Sequence, residues 1–182
     1  KGKFIFGFEE SYGYLQGAFV RDKDAVQAAM MIAEAACWYH SMGRTLYDVL
    51  VGLYEKYGWF EDLVLSKTLY GKEGIEKIQN AVRTLRESYP GHIGAFKVLA
   101  VRDYLKQERL DMLTGKTEPI DMERSNVLYF ELEGGRFIIR PSGTEPKLKS
   151  YLSASAAEKT EADSKLAQLK TAASALIDQL TK

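Results

Sequence analysis

The sequence predicts an α+β fold: a C-terminal domain with a four-stranded antiparallel sheet covered by helices, preceded by the tail of an α/β domain. Three observations point there. Residues 127–133 alternate apolar and polar side chains and are followed by Gly134-Gly135 and a second strand-like run. Ile75, Ile78, Val82 and Leu85, and later Leu166, Leu169, Ala173, Leu176 and Leu180, recur at helical spacing. Near the N-terminus stands a short continuous apolar run, Phe4-Ile5-Phe6, followed by helical patterns rather than further strands.

Phe4-Ile5-Phe6 reads as a strand buried on both faces. From Asp24 to Met42, Val26, Ala29, Met30, Ala33, Ala36 and Cys37 mark a helix. Met31, Ile32 and Trp38 widen its apolar surface, which predicts burial on more than one side. Gly43 stops it, and a second helix runs from about Thr45 to Tyr57 before Gly58. Residues 62–70 read as a strand, and the Ile75–Leu85 helix closes at Tyr89-Pro90-Gly91. Phe96 to Tyr104 is strand-like, and residues 111–125, which are polar, read as a loop. Leu128, Phe130 and Leu132 share one face of the next strand. Gly134-Gly135 supplies the positive φ angles of a two-residue hairpin, and Arg136 to Arg140 returns. The order βαβββα gives four strands and two helices, with a short alternating run at Leu148, Ser150 and Leu152 before the last helix, about Glu158 to Leu180.

The 182 residues carry 25 Lys+Arg against 25 Asp+Glu, and this zero net charge argues against nucleic acid or an anionic membrane as the main partner. No run of eighteen apolar residues spans a membrane. The single cysteine, Cys37, rules out an intrachain disulfide and fits a reducing, cytoplasmic compartment. The lack of an initiating Met is read as a hint of a longer polypeptide.

The most informative stretch is Arg140-Pro141-Ser142-Gly143-Thr144-Glu145-Pro146-Lys147-Leu148-Lys149, a loop between two predicted strands. Two prolines bracket it, and Gly143 permits a conformation that turns amide groups inward. Arg140 can bond two oxygens of a phosphate dianion while hydroxyls and amides take the third. The plainer reading is a polar turn whose Arg pairs with a surface carboxylate. The second stretch is Gly7-Phe8-Glu9-Glu10-Ser11-Tyr12-Gly13-Tyr14. Its carboxylates and hydroxyl, between glycines at a strand end, suit the hydroxyls of a polyol. A strand-ending turn with solvated acids is the alternative. Cys37 and His40, three apart on a helix, lack further ligands for zinc and read as core packing. His92 reads as a loop residue, and one acid of Asp22-Lys23-Asp24 reads as a helix N-cap.

Taken together, the two loops, about 130 residues apart, resemble those of the α-D-phosphohexomutase family, in particular its phosphoglucomutase and phosphomannomutase members. Arg21-Asp22-Lys23-Asp24-Ala25 and the Ala-rich helix extend the likeness over the interval between them. The resemblance implies that Glu9 and Ser11, with Lys23 as a further contact, hold sugar hydroxyls. It implies equally that Arg140, Ser142, Gly143 and Thr144 hold the substrate's non-reacting phosphate. Tyr12-Gly13 after Ser11 is closer to the glucose-directed pattern than to the Gly-His of members that accept mannose as well.

Family members are isomerases that act as intramolecular phosphotransferases, converting hexose 1-phosphate to hexose 6-phosphate. They work through an enzyme phosphoserine, Mg2+ and a hexose 1,6-bisphosphate intermediate. Neither the phosphoserine loop nor the Asp-rich magnesium loop occurs in this sequence. The expectation is therefore no catalytic and no metal residue in this chain. Residues 1–43 would be the tail of the third domain, and residues 44–182 a linking helix and the fourth domain. The missing N-terminal domains and a hexose phosphate would be the partners. A non-catalytic phosphosugar-binding module and a purely structural domain are the competing expectations; several hundred upstream residues carrying a serine loop and a metal loop would establish the enzyme.

Overall fold

The computed structural model describes residues 3–9, 12–143 and 145–182. Two compact units divide between Lys56 and Tyr57.

In the first unit, β1 (Phe6–Phe8) pairs antiparallel with β2 (Tyr14–Gln16), so that Gly7 faces Leu15. The helix α1 (Ala25–Ser41) begins where Asp24 accepts hydrogen bonds from the amides of Val26 and Gln27, at 2.9 and 3.2 Å. It ends as the sequence predicts, at Gly43 with φ of 72°. α2 (Leu46–Tyr57) opens on a reciprocal cap: the Asp48 amide donates to Thr45 Oγ1 at 3.2 Å and the Thr45 amide to Asp48 Oδ2 at 2.8 Å. The Thr45 amide, and then the Thr45 hydroxyl, donating to the carboxylate hold the Asp48 carboxyl below its usual range.

Two expectations fail here. The first strand is not buried on both faces: Ile5 is 78% and Phe8 73% exposed. Nor is α1 buried on more than one side, since Ala28 is its sole buried residue while Val26, Met30 and Trp38 are exposed. A two-stranded ribbon is too narrow to cover a helix of seventeen residues.

The second unit is a sheet backed by two helices. Its elements are β3 (Trp59–Thr68), α3 (Gly71–Glu87), β4 (His92–Ile93), β5 (Phe96–Asp103), β6 (Glu108–Asp111), β7 (Thr117–Pro119), β8 (Leu128–Leu132), β9 (Gly135–Pro141), β10 (Lys147–Ala156) and α4 (Lys159–Leu180). The strands run β3-β10-β9-β8-β5-β6-β7, every neighbouring pair antiparallel, with β4 paired to β5. The antiparallel sheet and its helices match the expected fold class, but the sheet is larger than four strands.

The short run at 148–152 is the middle of the ten-residue β10, which lies between β3 and β9. The expected loop at 111–125 holds β7 and the end of β6 instead. These strands escape an apolar-alternation search because charge pairing anchors them: Arg109 reaches Glu131 at 2.8 Å and Glu118 at 3.9 Å. Arg109, with Arg102 beside it, holds the Glu131 carboxyl below its usual range.

The hairpin between β8 and β9 also differs in detail. Gly134 alone of the pair has positive φ, at 77°, whereas Gly135 lies in β9 opposite Leu132. A Cβ on Gly135 would stand 2.5 Å from the Ser153 carbonyl oxygen, so this glycine serves close strand approach rather than the turn.

One continuous core fills the helix-covered face. Phe130 and Phe137 stack with centroids 5.6 Å apart, and Leu128, Ile139, Leu148 and Leu152 extend the layer. Ile78, Val82 and Leu85 of α3 and Leu169, Ala173 and Ile177 of α4 close over it. At the end of β5, buried Asp103 accepts from Arg86 Nε at 2.9 Å, the Tyr89 hydroxyl at 3.1 Å and the amides of Leu105 and Lys106. Burial, with Asp103 alongside, pushes the Tyr89 phenol well above its ordinary range. Replacing Asp103 with Ala strands the Arg86 guanidinium, which is only 14% exposed. Urea unfolding followed by far-UV circular dichroism should show a loss of about 3–5 kcal/mol; a loss below about 1 kcal/mol would mean Arg86 finds water instead.

Candidate functional site

The loop that joins β9 to β10 is tied by its own backbone. The Ser142 amide donates to the Lys147 carbonyl at 2.8 Å, and the Lys147 amide to the Glu145 carbonyl at 2.7 Å. Ser142 Oγ accepts from the Glu145 amide at 3.2 Å. The Pro146 carbonyl accepts from the Leu69 amide at 3.0 Å, which links the loop to the end of β3.

Strand register then decides which side chains meet. Arg140 lies directly opposite Lys149, on the face away from Ile139, Leu148 and Ser150. Lys147, two residues before Lys149, shares that face. Arg140, Pro141, Ser142, Glu145, Lys147 and Lys149 line a pocket of about 190 Å³. Three cations against one carboxylate give its lining a net positive charge. Its volume, below the several hundred Å³ of sites that enclose whole organic ligands, fits a small oxyanion group.

Arg140, in β9, and Ser142, in the loop that follows, both line this pocket. Gly143 does not take a positive φ. Nothing lies within 4 Å of the position its side chain would occupy, so its smallness keeps the loop surface open. Thr144 lies outside the described residues. Lys147 and Lys149 were not singled out by sequence reasoning; the signal is their period-two spacing opposite Arg140, which acquires meaning once the register is known.

The other loop joins β1 to β2. The Glu9 amide donates to the Gly13 carbonyl at 2.8 Å, and Tyr12 has φ of 64°. Ser11 lies outside the described residues. Lys23 crosses the loop: its Nζ donates to Glu9 Oε1 at 3.3 Å and pairs with Asp22 Oδ1 at 3.0 Å. Gly13 makes that path possible, because a Cβ there would fall 2.1 Å from Lys23 Cδ. Glu9 and Lys23, fourteen residues apart, are therefore brought together. The hydrogen bonds to Asp22 and then Glu9 hold the Lys23 ammonium above its ordinary pKa, and the Lys23 amide and ammonium hold Asp22 below its own.

Cys37 is exposed rather than packed in a core, because the ribbon leaves its face of α1 uncovered. His92 is exposed in β4. Among the described residues no three His, Cys, Asp or Glu side chains gather to hold a metal ion, and no helix is long and apolar enough to cross a membrane.

Comparison with known proteins covers both units of the chain. The family description "Phosphoglucomutase/phosphomannomutase, C-terminal domain" matches residues 91–169, and "alpha/beta/alpha domain III" of the same family matches residues 1–57. A phosphoglucomutase of Staphylococcus aureus is 44% identical over 149 residues, covering 82% of this chain and 27% of the relative. One from Staphylococcus haemolyticus is 40% identical over 150 residues, with the same coverage. Parafusin from Paramecium, an exocytosis-sensitive phosphoprotein and phosphoglucomutase solved in its open form, superposes with a TM-score of 0.60 over 94% of this chain and 30% of its own. At 15% identity that likeness shows the fold. The chain belongs to the phosphoglucomutase/phosphomannomutase family and represents its C-terminal part. It spans 27% of the length of the curated relatives it matches.

The Lys23 arrangement is testable by itself. Replacing Asp22 with Asn removes the larger of its two partners and should bring the ammonium back toward its ordinary pKa of 10.5. Replacing Gly13 with Ala should displace the side chain from Glu9 and act in the same direction. A 13C NMR titration of the Lys23 Cε reads both; an unshifted titration in both variants would show that neither carboxylate holds the ammonium.

Proposed function

We propose that this chain is the C-terminal part of a phosphohexomutase that interconverts hexose 1-phosphate and hexose 6-phosphate through a hexose 1,6-bisphosphate. The observation that carries the reading is the cationic pocket at the β9–β10 loop of a chain that belongs to this family. Residues 1–43 are read as the tail of the third domain, α2 as a link, and the rest as the fourth domain. A cytoplasmic setting is part of the reading, supported by the lone cysteine.

In this reading Arg140 donates paired, charge-assisted hydrogen bonds to two oxygens of the non-reacting phosphate. Lys147 and Lys149 add compact positive charge, while Ser142, Gly143 and Thr144 contribute hydroxyls and amides. The same loop has to accept the 1-phosphate and the 6-phosphate in turn, so it recognises a dianion and little else. Glu9 accepts from sugar hydroxyls, helped by Ser11, and Lys23 steadies the Glu9 carboxylate. Glucose is the favoured sugar on the Ser11-Tyr12-Gly13 pattern and the phosphoglucomutase relatives. Binding of this kind places the substrate, and placement with charge neutralisation is most of what phosphoryl transfer asks of a protein.

The phosphoserine and the Mg2+ site belong to segments outside this chain.

Replacing Arg140 with Ala should weaken binding of inorganic phosphate by roughly ten- to a hundredfold, the worth of a charge-assisted contact. NMR amide shifts of Gly143 and Thr144 during a phosphate titration measure it, and silent amides in the wild type would refute the phosphate site. A second outcome concerns catalysis. Supplied with magnesium and glucose 1,6-bisphosphate, the 182-residue chain should not convert glucose 1-phosphate to glucose 6-phosphate in a coupled assay. Sustained turnover abolished by Ser142→Ala would place the nucleophile in this loop and overturn the assignment.

A further inference from the structure

We propose that Glu145 is an internal competitor for the substrate's non-reacting phosphate: its carboxylate holds Lys147 in the free protein and yields it to the bound oxyanion. The inference rests on the phosphate reading above and deepens it. Glu145 is the one acid among the six residues that line the pocket. Its Oε2 lies 3.0 Å from Lys147 Nζ. An acid in a site for a dianion works against binding, both by like-charge repulsion and by occupying a cation the ligand could use.

The geometry keeps that acid in place. The Glu145 amide is tied to Ser142 Oγ and its carbonyl to the Lys147 amide, so the backbone holds the residue at the pocket wall. The ion pair itself is loosely held. Its side chains are 32% and 60% exposed, a setting in which solvent screens the attraction and an exchange of partners costs little. Lys147 has three donors on a flexible stem and can turn to a new acceptor without backbone motion.

Such an acid suits a phosphate loop that must release one end of a bisphosphate and take up the other. A loop of unopposed cations would bind either end tightly and slow the exchange. Glu145 tempers the grip while Arg140 keeps its direction.

The experiment measures dissociation constants of inorganic phosphate for the chain and its variants, by NMR amide shifts at fixed ionic strength. Glu145→Gln should tighten binding about two- to tenfold, the range open to one solvent-screened charge. Glu145→Ala, a second variant at this exposed position, should act in the same direction. Lys147→Gln should weaken binding, and by a larger factor in the Glu145→Gln background, where no competitor holds the ammonium. Unchanged or weaker binding in both Glu145 variants overturns the inference, as does strict additivity of Glu145→Gln and Lys147→Gln. If Arg140→Ala still weakens binding as expected above in that case, the phosphate site stands and the role of Glu145 alone falls. Absence of saturable phosphate binding to the wild-type chain overturns both.

Discussion

The register between β9 and β10 is the constraint on which the cationic pocket and the core jointly depend. Pairing Arg140 with Lys149 and Ile139 with Ser150 sends the basic residues to one face and the apolar residues to the other. A slip of β10 by one residue would exchange its faces, burying Lys147 and Lys149 beneath the helices and exposing Leu148 and Leu152. Desolvating those charges would cost far more than the sheet's hydrogen bonds recover. Packing of Phe130 on Phe137, and of α3 and α4 over them, therefore fixes the positions of the pocket's cations without touching them. Gly135 belongs to the same constraint, since its missing side chain lets β9 approach the Ser153 carbonyl.

The β1–β2 loop is fixed by different means. Its strands are three residues each, and the aromatic residues around it are largely exposed, so packing contributes little to its shape. What holds it is a cross-loop hydrogen bond from Glu9 to Gly13 and the Lys23 side chain laid over Gly13. The Asp24 amide adds a bond to the Tyr14 carbonyl and the Gln16 amide one to Gln27 Oε1 at 3.0 Å, so the start of α1 is joined to the ribbon.

How much of this is legible in the sequence follows from which interactions have a period. α3, α4 and the long strands are legible because their burial repeats at 3.6 or 2 residues. α1 and α2 are legible because their apolar residues recur at helical spacing although few of them are buried, and the ends of these two because Gly43 and Gly58 take positive φ. Strands β6 and β7 are not, because Arg109, Glu118 and Glu131 anchor them by charge. β2 is too short to show an alternation. Arg140 and Ser142 are legible through their motif, whereas Lys147 and Lys149 join the site only through pairing across strands. The contact between Glu9 and Lys23 leaves no trace in spacing at all; it depends on a glycine whose role is to be crossed.

The two loops consequently differ in the energy that backs them. The second unit buries a continuous apolar cluster, each large side chain contributing about 1.5–3 kcal/mol against leaving it in water. To distort the β9–β10 hairpin is to disturb that cluster, so the pocket's geometry is as costly to deform as the core is to unpack. In the first unit α1 buries one residue and α2 none, and the exposed ion pairs at Lys23 supply little energy of their own. Local opening should therefore be far cheaper around Glu9 than around Arg140. A cationic pocket backed by the core and a polar loop held by exposed ion pairs are therefore set apart by the depth of burial behind them rather than by their own polar contacts.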